Sequence, residues 1–156
     1  MIVYRELVQQ WLVPLGAAMK LPVLAVDEVQ GDTPITHLAY DVVEPYNDCT
    51  PQEREKNDKL YKLVDMEWRL FIRGASRMSR VEQCREVIGW LSTVGVDALD
   101  EIPAALVRIH APRWEMQGGK EELIVQVRLR MQDQFIRKLP LNETIDDVKW
   151  QPQENA

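Results

Sequence analysis

One stretch limits the folds open to this chain more than any other. Val64, Met66, Trp68, Leu70 and Ile72 alternate with Asp65, Glu67, Arg69 and Arg73, with Phe71 as the single exception. A period of two over nine residues predicts a half-buried strand, because successive side chains of an extended chain point to opposite faces. A second stretch repeats the pattern. In "ELIVQVRLRMQDQFIRKL", Leu123, Val125, Val127, Leu129 and Met131 share one face, and Gln126, Arg128, Arg130 and Gln132 share the other. Two long strands with one polar face each require a sheet sheltered on one side.

The segments around them supply the shelter. Val3, Leu7 and Trp11, with Val8, Leu12 and Leu15, have helical spacing, and Pro14 is expected to kink or end that helix early. Ser79-Arg80-Val81-Glu82 fits a capping box. It opens a helix whose stripe is Val81, Cys84, Val87/Ile88, Leu91 and Val94, with Gly95 expected as its left-handed stop. Residues 23–26 read as a short strand or extended connection, and residues 35–43 as a strand ended by Pro45. The polar run from Asn47 to Lys59 reads as a long exposed loop or short solvated helix, "VDALDEIP" as a connection, and "ALVRIHA" as a short strand ended by Pro112. Gly118-Gly119 marks a hairpin.

The fold expected is α+β: a two-layer domain, with a largely antiparallel sheet of four to five strands and two helices packed on one face. Residues 1–140 form that single domain and residues 141–156 a C-terminal arm or tail. At 156 residues the chain has enough surface to bury a core without disulfides or metal. Cys84 is expected as a buried free thiol. Arg5 and Glu6 interrupt the opening segment, so no secretion signal is expected, and the longest apolar runs fall short of the ~20 residues of a membrane span, so the protein should act where it is made.

Catalytic chemistry needs convergent groups, and the letters offer few. His37 and His110 are the only histidines, each within an expected strand. CxxC and HExxH spacings are absent, as is a GxSxG elbow. Asp65 and Glu67 could hold a magnesium ion in a small nuclease, but Arg69, Arg73, Arg128 and Arg130 share their face, and cross-strand pairing accounts for the arrangement. The expectation is therefore no catalytic, cofactor-binding or metal-binding residue. A net charge of −6 argues against broad affinity for nucleic acid. What remains is surface. Trp90, Trp114 and Trp150, Arg128 and Arg130 of the long strand, and Glu53 and Arg54 of the polar run are the candidate contacts with other subunits or partners.

The order of elements carries a resemblance. An N-terminal helix and strand precede "LVDMEWRLFIRG", which runs into "SRVEQCREVIGWL", and "RIHAPRWEMQGGKEELIVQVRLRMQ" closes the pattern. This arrangement, over about residues 1 to 138, is similar to the tail terminator or neck proteins of tailed bacteriophages. The resemblance implies a structural virion protein, made in the host cytoplasm. It would form a homo-oligomeric ring, a hexamer in that family, at the head-proximal end of the tail. Its partners would be the tail tube or sheath and the neck or connector proteins, with DNA only passing through the channel. The alternative it leaves open is a head-completion or other neck adaptor, and beyond that the small nuclease. The long polar run departs from the smallest members of the family.

Overall fold

The computed structural model describes residues 4–51, 54–56 and 58–136. In chain order, α1 (Tyr4–Leu7) passes through a π-helical segment (Val8–Leu12) into α2 (Val13–Met19). Then come β1 (Val23–Ala25), a 3-10 turn (Val26–Glu28), β2 (His37–Asp48), β3 (Arg54–Lys56) and β4 (Lys59–Arg73). The chain continues with α3 (Arg77–Ser92), α4 (Val94–Asp100), β5 (Ala104–Ile109), β6 (Arg113–Gln117) and β7 (Lys120–Ile136). The expected arm, residues 141–156, lies outside the described residues, as do Glu53 and Trp150.

The architecture is α+β, with a mixed seven-stranded sheet rather than four to five strands. Its order is β1-β2-β4-β7-β5, with β3 also paired to β4 and β6 to β7. β1 runs parallel to β2, and the other pairs are antiparallel. At the centre, β4 and β7 pair without a register shift from Lys59↔Ile136 to Ile72↔Leu123. Both strands alternate over their middle, so one register gathers most of their apolar side chains on one face. Val64, Met66, Trp68, Leu70 and Ile72 are buried there, together with Leu123, Val125, Val127, Leu129 and Met131. The helical layer meets them with Leu7, Trp11, Leu12 and Leu15 from the first helical stretch, Cys84, Val87 and Leu91 from α3, and Leu99 from α4. Trp11 stands edge-on to Trp68 with ring centroids 6.5 Å apart. Each such side chain removed from water contributes about 1.5–3 kcal/mol. Among the described residues, no helix is long and apolar enough to cross a membrane.

Several local expectations are overturned, each for a physical reason. Pro14 does not end the first helix. The amide of Val13 bonds back to the carbonyl of Val8, five residues earlier, and this widened turn carries the chain past the proline. Pro45 does not end β2 either. Register shifts fall between Val42 and Glu44 and between Glu44 and Asn47, so Pro45 sits where the ladder asks for no donor. Its carbonyl accepts from the Tyr4 hydroxyl at 2.8 Å. The polar run is neither a loop nor a helix throughout. Asn47 and Asp48 finish β2, and β3 folds back on the start of β4 with Arg54 opposite Tyr61. The Cys49 amide donates to Leu63 O at 2.9 Å, and the Leu63 amide donates to Thr50 Oγ1 at 2.9 Å.

The helix after β4 starts a turn earlier than its sequence signal. Ser76 is the cap: its hydroxyl accepts from the Ser79 amide at 3.1 Å, and Ser79 Oγ accepts from the Ser76 amide. Ser79 and Glu82 therefore do not form the cap. Gly95 is not a left-handed stop but a buried residue of α4, which occupies the expected connection. A Cβ there would lie 3.0 Å from the Trp90 ring, so the glycine makes room for the indole. Val81 and Val94, at the ends of the expected apolar stripe, are exposed. The hairpin at Gly118-Gly119 forms as expected, with φ of +56° and +80°, values that favour glycine.

Candidate functional site

The outward face of the sheet carries a layer of paired charges set by the register of β4 and β7. Asp65 lies opposite Arg130 and Glu67 opposite Arg128. Arg130 grips Asp65 with two hydrogen bonds, Nε to Oδ1 at 2.7 Å and Nη2 to Oδ2 at 3.0 Å. Arg128 reaches both acids, closely to Glu67 and at 3.3 Å to Asp65. Gln126 donates to Glu67 at 2.9 Å, and His110 Nε2 lies 3.1 Å from the same oxygen. The two carboxylates are almost fully buried beneath these side chains, at 2% and 3% exposure.

The electrostatics follow from that geometry. Hydrogen bonds from Arg130, working against burial, hold the Asp65 carboxyl below its ordinary range. Burial pushes Glu67 upward, but Gln126 and Arg128 together outweigh it and leave the group lowered. Arg130 and Arg128 are pushed up by their carboxylate partners, Asp65 and Glu67. The arginines have answered the acids, and among the described residues no group of three or more His, Cys, Asp or Glu side chains converges as a metal site would. Arg69 and Arg73 lie over the Phe71 ring at 5.5 and 5.3 Å, so this exception to the alternation sits beneath cations. With Ala39 and Ile124, Phe71 forms a small apolar cluster on the outer face.

Past the buried core, β4 and β7 run on to Lys59 and Ile136 as the projecting end of the ladder. Leu63, Phe135 and Ile136 are exposed there at 37%, 46% and 70%. The base of this end is fixed by polar contacts. The Tyr46 hydroxyl donates to the buried Asp133 at 2.9 Å, and burial together with that carboxylate pushes the phenol up to about 12. Lys62 pairs with Asp48 at 2.6 Å.

A second surface lies at the other end of β7. Val81, Cys84, Arg85 and Ile88 of α3 face Pro112, Trp114 and Leu123 across an apolar groove of about 360 Å³. The Arg77 guanidinium stacks over Trp114 at 3.8 Å from the ring centre, with Arg80 at 5.2 Å. Arg77 also pairs closely with Glu121, and Arg80 donates to the Glu121 carbonyl at 3.0 Å. Burial pushes the Cys84 thiol up, so it lines the groove as an unreactive wall.

Of the candidate contacts read from the sequence, Trp114 lies on the groove, and Arg128 and Arg130 lie in the outer charge layer. Trp90 packs against the core and Gly95 instead of standing out. Arg54 pairs through its backbone in β3. The groove's α3 side was missed, although Arg77, Arg80, Val81, Cys84, Arg85 and Ile88 recur at helical spacing and mark one face. The chain matches no protein-family model and no curated protein.

Proposed function

We propose that this chain is a structural assembly protein that forms a homo-oligomeric ring at the head-proximal end of a phage tail, ending the tail tube and joining it to the neck. The observation that carries the reading is the projecting end of β4 and β7. Three large apolar side chains are exposed at this end of the ladder, Leu63 and Ile136 on the outer face and Phe135 on the helix-side face. Apolar side chains gathered at one end of a stiff scaffold offer a surface that another protein can cover. The groove at the opposite end of β7 is a different surface, and two unlike patches on one subunit are what a closed head-to-tail ring requires. The resemblance in element order supplies the phage setting.

Size-exclusion chromatography with light scattering tests the ring. A discrete oligomer near six subunits, annular by negative-stain imaging, is expected, and a monomer at high concentration would overturn the reading. Phe135→Asp with Ile136→Asp should disperse the ring while leaving the melting temperature close to the parent's. A neck adaptor in another layer shares this geometry. Finding the chain in head-only rather than tail-only particles would favour that placement.

A further inference from the structure

We infer that the groove between α3 and β6 receives the acidic, apolar segment 142–150 of a second copy of this chain, so that neighbouring subunits are joined by an exchanged arm. The inference rests on the ring reading above and specifies one of its contacts.

Three observations carry it. The first is chemistry. The groove is apolar along Ile88, Pro112, Trp114 and Leu123, with Arg77, Arg80 and Arg85 along its α3 side. Arg77 is answered in part by Glu121, whereas Arg85 has no carboxylate partner among the described residues. The segment "NETIDDVKW" supplies the complement: Ile145, Val148 and Trp150 for the apolar floor, with Glu143, Asp146 and Asp147 for the guanidinium groups. A cationic rim around an aromatic-lined groove suits an acidic peptide with apolar anchors.

The second is reach. β7 pairs with β4 without a bulge, and Ile136 lies thirteen residues along it from Leu123 of the groove. At the rise of a strand this separates them by about 40 Å. Ile145 is nine residues beyond Ile136. Fully extended, those nine residues span at most about 32 Å. Ile145 therefore cannot reach the Leu123 end of the groove in its own chain, whereas a second copy can present its groove to the whole segment. The third is direction. The segment leaves from the projecting end, and the groove lies at the far end, so each copy gives at one end and receives at the other. Repeated head to tail, that polarity is what a closed ring uses.

The test uses full-length chains. Ile145→Asp with Val148→Asp removes the anchors, and Val81→Asp blocks the groove at a position 45% exposed and tolerant of charge. Each variant should keep the parent's melting temperature and weaken association by about tenfold or more. Mixed together, the two variants should form one-to-one complexes by light scattering, because one supplies an intact groove and the other an intact arm. Arg85→Glu should weaken association too, and Asp146→Lys with Asp147→Lys in the partner should restore it. Rings unchanged in both variants would overturn the exchanged arm and leave the ring reading standing. A parent chain that remains monomeric would overturn both.

Discussion

Replacing Arg128 by Met tests the buried charge layer. Arg128 is the closest partner of Glu67, a carboxylate only 3% exposed. Removing one member of a buried pair costs about 3–5 kcal/mol, because the other charge is left in a poor solvent. Two features lower that figure here. The Arg128 side chain is 32% exposed, so water already screens part of the attraction, and Gln126 and His110 remain on the acid. A loss of about 2 kcal/mol at pH 7 is expected. In urea unfolding followed by tryptophan fluorescence, this would move the midpoint down by about 1 M. Arg128→Met with Glu67→Met should recover most of the loss, since two apolar side chains leave no unpaired charge. The pH dependence gives a second reading. In the parent, Glu67 titrates below its ordinary value of 4.5, so its contribution is complete above that value and fades as pH falls through the lowered one. In the variant the contributions of Arg128 are gone while those of Gln126 and His110 remain, so the group moves back upward and its stabilising contribution above the ordinary value shrinks. The gap between parent and variant should open as pH rises from Glu67's lowered value in the parent through the ordinary 4.5, and close on the acid side where both are protonated. A variant within about 0.5 kcal/mol of the parent at pH 7, or a gap that does not change with pH, would refute the reasoning.

Trp68→Ala should destabilise by about 3–5 kcal/mol, since the ring is fully buried against Trp11 and Tyr40, and a urea midpoint equal to the parent's would contradict its place in the core. Ser76→Ala should cost about 1 kcal/mol through the lost cap, whereas Glu82→Ala should stay within about 0.5, and thermal melts that rank them the other way would return the helix start to Ser79. Gly119→Val places a branched side chain at φ +80° and should cost about 1–2 kcal/mol, with amide exchange rising first in β6 and the start of β7.

The elements legible in the sequence were those whose side chains had to alternate or spiral against a core. β4, β7 and the middle of α3 lie over the helical interface, and burial writes a period into them. The far half of β2 and the whole of β3 lie beyond that interface, where a strand needs only its backbone ladder and any polar side chain serves. Residues 47–59 therefore carried no period at all. Pro45 and Pro14 misled for a related reason: each is a local veto that a register shift or one widened turn can absorb, and neither device leaves a mark in the letters. α4 is a helix of seven residues whose glycine answers to a neighbouring indole. In the site, the acids and arginines of the outer face were visible, since they are two apart on each strand, but their matching depended on the register. The groove was half visible: Trp114 stands out as a large aromatic residue, while Val81, Cys84 and Ile88 of its α3 wall have the spacing of a core stripe.

The helix that opens the chain holds a hidden linkage. The loop of Val8 to Leu12 contains one residue more than an ordinary helical path would use, and that surplus is what lets a ring without an amide hydrogen ride two positions later. Swapping Pro14 for alanine, or deleting one residue upstream, would each leave half of a matched pair behind, and the deletion would also swing Leu7 about 100° away from Trp11 and Leu15. In homologous chains the proline and the extra residue should be gained or lost as a unit.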